Sequence, residues 1–186
     1  MNLPPRRNGC ASLTINNISV EILFIVSENF DDDIPQSNDV AVVSWSDNLS
    51  IGIELIDSQH KHLVALTNQL FQACTRGGDK RDTVFKNVMS QMVEYVRVHF
   101  TAEQELMHRI NYPHYAEHKS EHDKLIRKVL ETTNNYDKGK KFVPNDFVRF
   151  LKDWIVSHIA HTDKMIALYI TAQKKKGLLS DQDIEG

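Results

Sequence analysis

The chain is predicted to be all-α, an antiparallel up-down four-helix bundle preceded by an N-terminal arm. Apolar residues recur at threes and fours in separate stretches, each long enough for a bundle helix. Turn-forming segments punctuate them at Arg76-Gly77-Gly78, Asn111-Tyr112-Pro113 and Asp137-Lys138-Gly139. Helices joined by such short connections pack best as antiparallel neighbours.

Residues 1–41 read as the arm. They hold Pro4, Pro5, an alternating run (Ile18, Val20, Ile22, Phe24, Val26) and the acidic Asp31–Asp33 before Pro35. One strand-like piece cannot pair with itself, so the arm docks on the body, meets a partner or stays poorly ordered. The bundle is expected over 42–175, with 176–186 as a tail. From Asp57 the first helix brings Ile53, Ile56, His60, Leu63, Leu70 and Cys74 near one face. The second starts near Asp82, a plausible cap, carries Val84, Val88, Met92, Tyr95, His99, Glu103 and Met107, and stops at Asn111. A third, from about His114 to Asn135, lines up His118, His122, Leu125 and Val129. Pro144-Asn145 opens the fourth, which holds Phe147, Leu151, Trp154, Ile155, His158, Ile159, Ile166 and Tyr169 and closes before Gly177.

Composition narrows the function. With 186 residues, 41% of them apolar and 25% charged, the chain suits one domain with a real core. A formal net charge of -3 gives no electrostatic reason to expect nucleic acid or a membrane surface as partner. The basic run Lys174–Lys176 ends a helix, where cations complement the dipole. Cys10 and Cys74 lack CxxC spacing, so neither a thiolate metal site nor a disulfide framework is expected, and a reducing cytoplasm is the expected compartment. The apolar stretch Ile18–Val26 is broken by Ser19 and Glu21 and is too short to span a bilayer.

Chemistry enters with the histidines. Residues four apart on a helix share a face, so His99 points with Glu103, and His118 with His122. Each pair can grip a metal from one helix; His60 and the pair His158/Asp163 complete a set drawn from all four helices. His158 and Asp163 are five apart, an angle of about 140° on a regular helix rather than about 40°. A π-bulge would bring them together. The other histidines, His62, His108, His114 and His161, lie off these stripes, although His114 is four before His118 and offers a rival pair. A single histidine on an apolar face is usually an ordinary core or boundary residue. Burying five imidazoles and two carboxylates without a metal would cost several kcal/mol per group.

These motifs make the chain resemble the hemerythrin family, specifically its single-domain bacterial members, over about Val42–Gln173. The resemblance lies in Trp45, Ile51-Gly52-Ile53 and Ile56-Asp57-Ser58-Gln59-His60, then His99-Phe100-Thr101-Ala102-Glu103. Tyr112-Pro113 leads to His118 and His122, and Trp154-Ile155-Val156-Ser157-His158-Ile159 precedes Asp163. The Tyr-Pro spacing selects His118/His122 over His114/His118. Gln104 stands where many members have a second Glu, and the arm before residue 42 has no counterpart in the family pattern.

The resemblance implies two non-haem iron ions with a bridging oxide or hydroxide, held by His60, His99, Glu103, His118, His122, His158 and Asp163. His118, His122 and His158 would bind one iron, His60 and His99 the other, with both carboxylates bridging. Two octahedral ions offer twelve positions; five imidazoles, two bridging carboxylates and the oxygen bridge fill eleven. The open position, where dioxygen would bind, then belongs to the two-histidine iron. Phe100, Trp154, Ile155 and Ile159 flank the ligands and are the candidate walls of the dioxygen pocket, or plain core packing.

The expected function is reversible dioxygen binding for storage, buffering or delivery to an oxygen-requiring enzyme, without catalysis. An oxygen or redox sensor acting through a protein contact is the alternative, and a peroxide or nitric oxide reductase a more distant one.

Overall fold

The apolar stripes become helices in the expected order. Helix α1 spans Glu54–Thr75, α2 Arg81–Arg109, α3 Tyr115–Asp137 and α4 Pro144–Ser157. Helical backbone then continues through a π-helical stretch, His158–Asp163, into α5, Lys164–Lys175. A short α6, Gln182–Glu185, follows. The computed structural model describes residues 41–75, 81–138 and 144–185, all within one unit, Gln36–Gly186. The predicted arm up to residue 40 and the predicted turn at 76–78 lie outside the described residues.

The architecture is an antiparallel four-helix bundle in which α4, the π turn and α5 together make the fourth rod. Helix α1 packs on α2 and on α4, and α2 packs on α3. The seam between them is filled by Ile56, Leu66 and Leu70 of α1, Met89, Met92 and Met107 of α2, Leu125 of α3, and Leu151 and Ile155 of α4, all under 3% exposed. Each such side chain contributes about 1.5–3 kcal/mol on burial. Val84, read as part of the α2 stripe, is instead 39% exposed. No described helix is long and apolar enough to cross a membrane.

Helix ends follow local chemistry. Asn111 takes a left-handed φ of 52°, while the N–H of Tyr112 reaches the carbonyl of Met107 at 2.8 Å and that of Asn111 reaches His108 at 3.1 Å. This pattern satisfies the last carbonyls of α2 and tolerates Asn at the left-handed position. Gly177, φ 70°, closes α5 in the same way. The tail beyond is not free: α6 meets the end of α2, where Arg109 Nη1 donates to the Ile184 carbonyl at 3.4 Å.

The entry to α1 is held by Asp57 in its first turn. Its carboxylate accepts from Ser50 Oγ at 2.6 Å, Ile51 N at 2.8 Å and Gly52 N at 3.0 Å. Asn68, three turns on, accepts from the N–H groups of Val42 and Val43 and donates to the Val43 carbonyl. The segment before the bundle is thereby fixed against α1.

Candidate metal centre

Each rod sends its polar residues into the middle of the bundle because they occupy positions on the buried stripe. His60 comes from α1, His99 and Glu103 from α2, His118 and His122 from α3, and His158 and Asp163 from the two ends of the π turn. All are buried, none more than 4% exposed. The five-residue spacing of His158 and Asp163 falls entirely within π-helical backbone, which widens the turn and brings both side chains to one side. His158 Nε2 consequently lies 3.1 Å from Asp163 Oδ1.

The groups converge in two halves. Glu103, His118, His122, His158 and Asp163 form one potential metal-binding cluster, and His60, His99 and Glu103 a second. In the first, His122 Nε2 is 3.0 Å from His118 Nε2 and 2.9 Å from His158 Nε2. In the second, His60 Nε2 and His99 Nε2 each lie 3.7 Å from Glu103 Oε1, and Asp163 Oδ2 is 3.1 Å from His60 Nε2.

The carboxylates divide their oxygens between the halves. Glu103 turns Oε1 to His60 and His99, and Oε2 to His118 at 3.4 Å and His122 at 3.1 Å. Asp163 turns Oδ2 to His60, and Oδ1 to His118 at 3.4 Å and His158 at 3.1 Å. Such an arrangement is what a pair of bridging carboxylates requires.

The donor set fits metal ions on three further grounds. Both nitrogens of His60 and both oxygens of Glu103 and of Asp163 are buried without a hydrogen-bond partner, despite their short contacts. Groups aimed at common points, rather than at each other, leave that signature. An ion about 2.1 Å from two nitrogens at right angles sets them about 3.0 Å apart, close to the separations among His118, His122 and His158. Ring tautomers agree: His99 Nδ1 faces Gln59 Oε1 at 3.1 Å, and His158 Nδ1 faces Glu121 Oε2 at 3.1 Å. Those oxygens can only accept, so the proton sits on Nδ1 and the Nε2 lone pair points into the cluster.

Electrostatics among these residues are sharply divided. Burial would lower the His60 pKa, but the Asp163 and Glu103 carboxylates outweigh it and raise it from 6.5 to about 9. His99, whose burial is less well compensated, falls to about 3. Burial pushes both carboxylates toward neutrality, yet the surrounding imidazoles hold Glu103 well below the usual range and Asp163 below its own.

Of the expected pocket walls, Phe100 stacks on His122, with ring centres 3.6 Å apart and planes at 2°. Trp154 stacks on His158 at 4.2 Å. Both rings thus cover the three-histidine half; Phe100 also meets His99, at 5.5 Å. Ile155 and Ile159 are buried, each 2% exposed. The remaining histidines stay outside the cluster, as expected. His62 packs on Tyr95 and His108 on Tyr115; His114 precedes α3, and His161 is exposed. Sequence reasoning had no means of assigning Gln59 and Glu121 to ring nitrogens, since each partner stands next to another histidine on a different helix. Thr162, which also donates to Glu121 Oε2 at 3.1 Å, was missed as well.

Comparison with known proteins places this geometry in context. The Hemerythrin HHE cation binding domain profile matches residues 51–169. A bacteriohemerythrin of Stenotrophomonas maltophilia (strain R551-3) is 31% identical over 133 residues, covering 72% of this chain and 84% of the relative. The bacteriohemerythrin of Methylococcus capsulatus (strain ATCC 33009 / NCIMB 11132 / Bath) is 29% identical over 134 residues, 72% of this chain and all of that one. Among solved structures, wild-type hemerythrin superposes with a TM-score of 0.64 at 28% identity, over 68% of this chain and 96% of the other.

Proposed function

The chain belongs to the hemerythrin family, a di-iron, oxygen-binding type of domain, and from that premise we propose that it takes up and releases dioxygen reversibly for storage, buffering or delivery to oxygen-requiring enzymes. His118, His122 and His158 would hold one iron and His60 and His99 the other, with Glu103 and Asp163 available to both. The observation that carries this reading is the division of each carboxylate's oxygens between the two groups of histidines.

A di-iron pair held there would supply the reversible two-electron chemistry that dioxygen binding needs. The protein's part is to favour that reversal over net oxidation of anything else. Five neutral imidazoles against two carboxylates leave the donor set little negative charge, unlike the carboxylate-rich pattern of four Glu and two His in related di-iron proteins. That composition supports a carrier rather than an enzyme. Phe100 and Trp154 lie flat on His122 and His158 and shield that half from water. Gln59 and Glu121 fix the His99 and His158 rings with their lone pairs inward. His60 has no such tether at Nδ1, which is buried without a hydrogen-bond partner, and its Nε2 faces Asp163 and Glu103.

The test is an optical spectrum of the iron-loaded, reduced protein before air, in air and after air is withdrawn. A visible band that appears and then disappears is expected. Direct conversion to a stable oxidised spectrum would overturn the carrier reading and favour sensing or turnover.

A further inference from the structure

All seven residues of the cluster are buried, so an ion must cross a wall of the bundle to reach them. A cavity of about 590 Å³ adjoins that wall, between the start of α3 and the π turn. Its lining joins His114, Glu117 and Glu121 to His161 and Lys164, and includes His118, itself a member of the cluster.

We infer that this cavity is the port through which divalent cations enter and leave the cluster, received first by Glu117, His114 and His161 and handed on to His118. The inference rests on the two-metal reading of the site. His118 is 3% exposed, turns Nε2 inward to Glu103 and Asp163, and its Nδ1 is buried without a hydrogen-bond partner. A buried imidazole that belongs to the cluster and also lines the cavity connects the two.

The outer groups suit a cation in transit. An aquo ion sheds its water stepwise, and each lost ligand must be replaced. Carboxylates and imidazoles are the replacements that divalent metals accept. His161 donates Nδ1–H to the Ser157 carbonyl at 2.9 Å, which leaves its Nε2 as a lone-pair donor. Two glutamates give the cavity a negative field that concentrates cations. The Lys164 ammonium, the opposing charge, is drawn off to the Ser50 carbonyl at 2.5 Å. Glu121 already accepts from His158 and Thr162, so it fixes the inner wall rather than receiving the ion.

The experiment follows cobalt(II) uptake by the metal-stripped full chain through its visible absorption, with the final metal content counted separately. Glu117→Gln combined with His161→Ala should slow uptake about tenfold and weaken its salt dependence, while both proteins end at two ions per chain. Release of cobalt to a chelator from the loaded protein should slow by the same factor, because the endpoint is unchanged; this measurement serves if the stripped variant does not fold. Glu94→Gln, at an exposed carboxylate away from the cavity, should leave both rates as they are. Unchanged rates in the double variant with two ions bound would overturn the port and leave the two-metal reading standing. Fewer than two ions in the parent protein would overturn that reading itself.

Discussion

Glu103 Oε2 and His122 Nε2 stand 3.1 Å apart in the middle of the bundle with no hydrogen bond between them, while Glu103 Oε1 faces a different pair of histidines. One carboxylate from α2 therefore joins groups from α1 and α3. Removing either end of that relationship should have separable consequences.

Replacing Glu103 by Gln keeps the shape but removes a charge shared by both halves. Iron content should fall from two ions per chain to well below one, as measured by elemental analysis. Retention of both ions would show that Glu103 does not bridge.

His60→Ala should act on one half only. Its ring reaches Glu103 Oε1 and Asp163 Oδ2 but is not among the donors grouped around His122. About one ion per chain should remain, and the reversible optical response to air should vanish. A persisting response would refute the assignment of the open position to the two-histidine iron.

Inserting one alanine after Ala160 would set His158 and Asp163 six residues apart and swing Asp163 by about 100° relative to His158. Metal binding should be lost while far-UV circular dichroism stays near that of the parent. Two ions bound in the insertion variant would mean the register of the π turn plays no part in aiming Asp163.

Metal uptake should depend on pH in a direction set by His60. Its folded pKa of about 9 means that, without metal, it is charged at neutral pH and must lose a proton to ligate. Affinity should therefore climb as pH rises toward 9, with proton release measurable in weakly buffered titrations. In the metal-free protein the same raised pKa stabilises the fold fully below about 6.5 and is lost as pH rises through 9. His99, lowered to about 3, works oppositely: it is buried neutral, and its penalty appears as pH falls below 6.5. Affinity that is flat between pH 6 and 9 would contradict this.

Asp57→Ala should cost about 2–3 kcal/mol in urea unfolding, because it strands the Ser50 hydroxyl and the Ile51 and Gly52 N–H groups. Iron stoichiometry should be unaffected at low denaturant. A loss under 0.5 kcal/mol, roughly the effect of an ordinary surface substitution, would show that the entry segment is held by its apolar contacts instead.

Much of the bundle and the identity of the clustered residues was legible because helical periodicity is a local property. Spacings of four placed His99 with Glu103 and His118 with His122, and the awkward spacing of five in His158/Asp163 announced the π turn that the fold contains. The sequence alone thus determined the helices, their order and which polar side chains share the buried stripe. Only the tertiary structure decided which oxygen of Glu103 and Asp163 faces which histidine, which ring nitrogens Gln59 and Glu121 hold, and that Phe100 and Trp154 cover the three-histidine half. Those are contacts between different helices. Their outcome depends on the rotation and offset with which the rods pack, and helical spacing within one segment carries no information about either.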